Sequence, residues 1–60
     1  MSPILKFFTY EHLPEKLKYV SKQFCELATR LDIELPDGPE KSVALRKLLE
    51  GKDAAVRAVL

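Results

Sequence analysis

Four residues near the middle of the chain, Pro36-Asp37-Gly38-Pro39, break what would otherwise read as continuous helix. Pro36 stops a helix arriving from the N-terminal side, because proline disfavours helical backbone in the residue before it. Pro39 suits the first position of a new helix, where its missing N–H removes no hydrogen bond. Two registers fit that start. Asp37 can cap the free N–H groups with Glu40 completing a capping-box-like pattern, or Gly38 can be the cap with Pro39 as first helical residue. The segments on either side are nearly equal in length, so a chain broken here folds back on itself as a hairpin.

Helix one is expected from about residue 14 to about 35. Pro14 opens it, and Glu15 suits its positive end. Leu13, Leu17, Val20, Phe24, Leu27 and Leu31 then recur at steps of four and three, a heptad seam broadened by Cys25, Ala28 and Leu35. Glu26 and Arg30 stand four apart in the order that favours an ion pair, as do Asp53 and Arg57 later. Helix two is expected from about 39 to 60. It offers Leu45, Leu49, Val56 and Leu60 to helix one and a second face, Ala44, Leu48, Ala55 and Val59, to another partner. Gly51 falls inside it, where glycine costs about 1 kcal/mol relative to alanine.

Ahead of the hairpin, Pro3 to Tyr10 is short and aromatic. Read at period two it is an extended arm, with Ile4, Lys6, Phe8 and Tyr10 on one side and Leu5, Phe7 and Thr9 on the other. Such an arm needs the helices, or a neighbouring chain, to satisfy its backbone. The sequence therefore predicts one domain over 1–60: all-α, an antiparallel two-helix hairpin with a short extended N-terminal arm spanning residues 1–12.

Size then bears on assembly. A chain of 60 residues buries only about 60% of the surface it exposes when unfolded. Small domains commonly add disulfides, metal or oligomerisation. With one cysteine, Cys25, and one histidine, His12, neither a bridge nor a closed zinc site can form within the chain. Two helices also cannot cover two wide apolar stripes between them, so a homo-oligomer is expected.

Ten basic residues against nine acidic argue against a partner as charged as a long nucleic acid. No apolar run is long enough for a membrane span, and residues 1–6 lack a signal-peptide pattern, so a cytoplasmic location is expected. Catalysis has little to build on, with no serine or cysteine at a recognisable spacing from a base. The chain is read as a non-enzyme with no cofactor and no metal.

Anion binding has better support. The start of helix two presents free N–H groups and the positive end of its dipole. Lys41 and Ser42 lie in its first turn, with Arg46 about a turn further on. Together they can hold a phosphate, or they can be a helix cap and two solvated cations. Phe8, Tyr10 and His12 can present flat faces to a base, at about 1–3 kcal/mol per stacked base, or can simply pack. Phosphate-holding cations with aromatics suit a small nucleotide.

The run Glu40-Lys41-Ser42-Val43-Ala44-Leu45-Arg46-Lys47-Leu48 resembles the Glu-Arg-Ser-x-Ala-Leu-x-x-Leu pattern of a phage hairpin domain. The lead-in Phe8-Thr9-Tyr10-Glu11-His12-Leu13-Pro14 resembles the Tyr/His/Pro approach to that domain's first helix. The family is the phage anti-CBASS and anti-Thoeris sponge proteins, and the resemblance runs from about Phe8 to Leu60. It implies a phage protein acting in the cytoplasm of an infected bacterial host. It also implies binding of cyclic di- and trinucleotide immune messengers, such as cyclic GMP–AMP, without cleavage, and in some members of cyclic ADP-ribose derivatives. Pockets between subunits of a homo-oligomer, often a hexamer, are implied too. Ser42 stands at the family's serine and Lys41 at its preceding basic residue, while Tyr10 and His12 match the aromatic lead-in. Two positions depart from the pattern. Lys41 replaces an arginine and offers a point charge in place of a bidentate fork, and Gly51 replaces the usual alanine. The residue-level alternative to a sponge is a helical protein–protein interaction or assembly module with no small-molecule ligand.

Overall fold

The computed structural model describes residues 2–60. It contains a 3-10 helix, η1, over Pro3–Phe8, then α1 over Glu15–Glu34 and α2 over Pro39–Ala58. The two α-helices pack against each other and η1 contacts both. The molecule measures 34 × 18 × 15 Å.

Both long helices begin and end close to where their residues dictate. The C-terminal cap Leu35 turns extended ahead of Pro36 and donates its N–H to the Leu31 carbonyl at 2.9 Å. Of the two registers open for α2, the second is realised: Gly38 is the N-cap and Pro39 the first helical residue. Gly38 has φ 155°, a conformation side-chain-bearing residues rarely adopt, which makes glycine the natural residue at this turn. The capping box is absent. No side chain caps α2, and the Asp37 carboxylate instead accepts a hydrogen bond from the Lys41 ammonium at 3.0 Å.

The N-terminal segment departs from the expected extended arm. Its six residues form a 3-10 helix opened by Pro3, whose fixed φ suits a first helical turn. Three residues per turn place Leu5 and Phe8 on one side. Phe8 is fully buried, Leu5 and Ile4 pack against the core, and Phe7 stays 55% exposed. Period two would have put Lys6 beside Phe8, yet Lys6 is exposed with its ammonium 5.1 Å from the Phe7 ring centroid.

The core is Phe8, Ala28 and Leu45, ringed by Phe24, Cys25, Leu31, Leu48 and Leu49. The most buried positions of α1 are Ser21, Ala28 and Asp32, so its innermost stripe is rotated by one residue from the leucine seam. All six seam residues are only half-buried. The rotation follows from geometry: α1 faces η1 as well as α2, and small Ser21 and Ala28 let a second element approach closely. On α2 the expected division of faces also blurs. Leu48 packs on the core beside Leu49, while Leu60 is exposed. Neither surface pair forms among the described residues; Asp53 lies near Lys52 instead.

Gly51 is a repairable weak point. An added Cβ there would lie 3.6 Å from the Phe24 ring, an ordinary van der Waals contact. Gly51→Ala is expected to stabilise the fold by about 0.5–1 kcal/mol, from lower backbone entropy in the unfolded chain. An increased urea midpoint with an unchanged slope would show it, and a decreased one would mean that the Phe24 contact is tighter than drawn.

Candidate functional site

Three elements converge at the turn end of the hairpin, and what joins them is a polar cluster around Lys41. Asp32 lies in the last turn of α1 and Lys41 in the first turn of α2, so each charge sits at the helix end of its own sign. Both placements are unfavourable alone and are offset by pairing. The Lys41 ammonium donates to the Asp32 main-chain carbonyl at 2.7 Å and lies 3.3 Å from the Asp32 carboxylate. That carboxylate also accepts the Ser2 hydroxyl and, at 3.3 Å, the Ser2 N–H. Asp37 completes the set from the turn. Ser2, Pro3, Asp32, Ile33, Leu35, Pro36, Asp37 and Lys41 together line an open depression of about 570 Å³.

These contacts move two titrations. The Asp32 carboxyl is held below its ordinary value, chiefly by the Ser2 hydroxyl against the opposing effect of burial, with Lys41 adding to it. The Lys41 ammonium is held above its ordinary value, chiefly by its hydrogen bond to Asp37 and then by Asp32, again against burial. Asp32's contribution to stability is therefore complete above the unfolded carboxyl range, near pH 4, and disappears as pH falls through its lower folded value. Lys41's is complete below about pH 10 and disappears as pH rises through its higher folded value. The cluster is expected to stabilise the hairpin fully from about pH 5 to pH 10. Melting temperature against pH should fall at the acid edge, and Asp32→Asn should flatten that edge; an equally steep edge in the variant would assign acid sensitivity elsewhere.

The residues nominated for ligand binding fall into four groups. Phe8 is a core side chain with no free face, so it cannot stack on a base; packing between α1 and α2 claims it entirely. Lys41 is present at the expected helix start, but its side chain is only 10% exposed and its ammonium already serves two carboxylates. Ser42 and Arg46, one turn apart on α2, are exposed, and neither side chain has a hydrogen-bond or ion-pair partner among the described residues. Beside them the N–H groups of Glu40 and Lys41 begin a helix that no side chain caps.

Tyr10 and His12 stand apart from that end. Ser2 anchors the start of η1 near Lys41, whereas the Phe7 carbonyl accepts from the Lys52 ammonium at 2.9 Å. Lys41 and Lys52 are separated by about 16 Å of helix. Tyr10 lines a shallow depression with Cys25, Glu26, Thr29 and Arg30 on α1, and His12 is exposed. One chain thus does not bring its aromatic lead-in to its own α2 start.

Sequence reasoning missed Asp32 and Asp37 as the partners of Lys41, and Ser2 as the partner of Asp32. Ser2 and Asp32 are thirty residues apart, and only the fold joins them. Asp37 and Lys41 stand at i,i+4, a spacing visible in the sequence but read there as a cap. Among the described residues, no group of three or more His, Cys, Asp or Glu side chains could hold a metal ion. No helix there is long and apolar enough to cross a membrane. No family model matches the chain, and no curated protein or solved structure is detectably similar to it.

Proposed function

We propose that this chain is a phage anti-defence sponge: a homo-oligomer, a hexamer by the family pattern it resembles, that binds cyclic di- and trinucleotide messengers such as cyclic GMP–AMP. It sequesters them without cleavage and so inhibits CBASS-type signalling in the infected bacterial host. The observation that carries this reading is the uncapped start of α2, with Ser42 in its first turn and Arg46 a turn further on, both exposed and without a side-chain partner among the described residues. Free N–H groups, a helix dipole, a hydroxyl and a guanidinium are the donors that a phosphodiester needs. Near-balanced charge suits a small ligand better than a polymer.

The separation of the aromatics from that end makes the site a property of two chains. The α2 start of one copy supplies phosphate contacts, and Tyr10 with His12 of another supplies faces for the bases. Incomplete burial supports such assembly. The seam on α1 is half-covered, and Tyr19 and Ile33 are 73% and 78% exposed. Static light scattering should therefore report an oligomer; a clean monomer at micromolar concentration would remove the two-chain site. Ligand recovered chemically intact after denaturing the complex distinguishes a sponge from an enzyme that degrades the messenger.

The same half-covered seam favours one other reading, an assembly module whose apolar faces bind a partner helix and whose cations only solubilise. Oligomerisation without nucleotide binding would select it.

A further inference from the structure

We infer that the leucine seam of α1 is an interface with a second copy of this chain, packed antiparallel so that Glu26 of each copy meets Arg30 of the other. The inference rests on the homo-oligomer of the reading above and says which surface builds it. It requires no ligand.

The seam has an apolar floor and a charged edge. Phe24 and Leu27 form the floor and Gln23, Glu26 and Arg30 the edge of an open depression of about 460 Å³. Val20 and Leu31 extend the floor by one turn in either direction, and all four apolar residues are only half-buried. Phe24 and Leu31 also pack on the core, so the floor is continuous with the interior. Apolar residues recurring at steps of four and three make a strip that another helix fills when it lies nearly along the first.

Charge decides which helix that is. Glu26 and Arg30 stand on the same edge in the order that favours a pair within one helix. Both are exposed, yet neither forms an ion pair among the described residues. A two-fold axis level with Ala28, midway between them, sets Glu26 opposite Arg30 of the second copy and Arg30 opposite its Glu26. That register also matches the apolar residues. At helical rise, Phe24 lies within about 1.5 Å along the axis of Leu31 of the second copy, and Leu27 within about 3 Å of its own counterpart. Exposed Ile33 comes level with Gln23. A parallel copy would set Glu26 against Glu26 and Arg30 against Arg30. Antiparallel packing thus satisfies charge and apolar surface in a single register, and symmetry doubles every contact.

Each ion pair alone contributes little at an exposed edge. Together they fix orientation, because the opposite arrangement brings like charges together over a floor from which water has been removed.

Sedimentation equilibrium tests this on wild type, Glu26→Arg, Arg30→Glu, the double swap Glu26→Arg/Arg30→Glu, and an equal mixture of the two single variants. Circular dichroism checks that each remains helical, since like charges four apart cost a helix only about 0.2–0.5 kcal/mol. Each single variant is expected to self-associate about tenfold more weakly than wild type, or worse. The double swap, which restores both pairs, should associate like wild type. The mixture should recover to within about threefold of wild type, because one chain brings two cations to the edge and the other two carboxylates. A monomeric wild type overturns the inference. So do single variants that associate as wild type does, the result for parallel copies or an unused seam. Titration of wild type with cyclic GMP–AMP separates the two claims. Association that follows the charge pattern without nucleotide binding sustains the seam and counts against the sponge. Nucleotide binding by a protein whose association ignores both reversals sustains the sponge and removes the seam.

Discussion

Phe8→Ala is expected to destabilise the fold by about 3–5 kcal/mol, the usual effect of truncating a buried phenylalanine. A chain of this length has roughly 3–9 kcal/mol of stability in total. The variant should therefore be largely unfolded at 37 °C, or recover only at protein concentrations that drive assembly. Phe8 carries this weight because it is the largest fully buried side chain and meets Ala28 and Leu45 where η1, α1 and α2 come together. Its neighbour Phe7 is the control. At 55% exposed, Phe7→Ala should cost about 1 kcal/mol or less. Urea unfolding followed by circular dichroism compares the two directly. Equal losses, or a larger loss at Phe7, would mean that η1 presents its other face to the helices.

The second large effect concerns binding. Arg46→Ala is expected to weaken cyclic oligonucleotide affinity by about 10- to 100-fold, the worth of a hydrogen bond between a guanidinium and a phosphate. Folding should be unaffected, because Arg46 is exposed and forms no ion pair among the described residues. Ser42→Ala removes a neutral donor and should weaken affinity by about fivefold. The order matters as much as the size. If Ser42→Ala and Arg46→Ala both leave affinity unchanged while the protein still binds, the phosphates lie elsewhere, and the depression around Tyr10 and Arg30 becomes the place to look.

The hairpin was legible because its signals are local and agree with one another. Pro36 ends α1, Gly38 and Pro39 begin α2, and apolar residues recur at helical spacing on both sides. Three features were not legible, each for a physical reason. Six residues cannot distinguish a period of two from a period of three when both sides carry apolar bulk, so η1 read as extended. The leucines of α1 mark the apolar side of the helix without saying how many elements share it. Two do, so the innermost stripe passed to Ser21, Ala28 and Asp32. Lys41 looked free because its decisive partner, Asp32, is on the preceding helix and is itself oriented by Ser2 from the far end of the chain.

That pairing also changes how the candidate site reads. The turn places a lysine and an aspartate at the helix ends where each is least favoured, then neutralises both. A phosphate-binding reading therefore rests on Ser42, Arg46 and the uncapped N–H groups, because Lys41 is held by Asp32 and Asp37. In that reading Tyr10 and His12 would enter only from a second copy, and Phe8, a core side chain, takes no part.

Calorimetric titration of the oligomer with a panel of cyclic di- and trinucleotides tests the central claim most directly. At least one ligand is expected to bind at about micromolar affinity or tighter, near −8 kcal/mol, with no more than one ligand per chain, since each chain supplies one α2 start and one aromatic lead-in. Absence of any binding below about millimolar across the panel, from a protein shown to be folded and oligomeric, would contradict it.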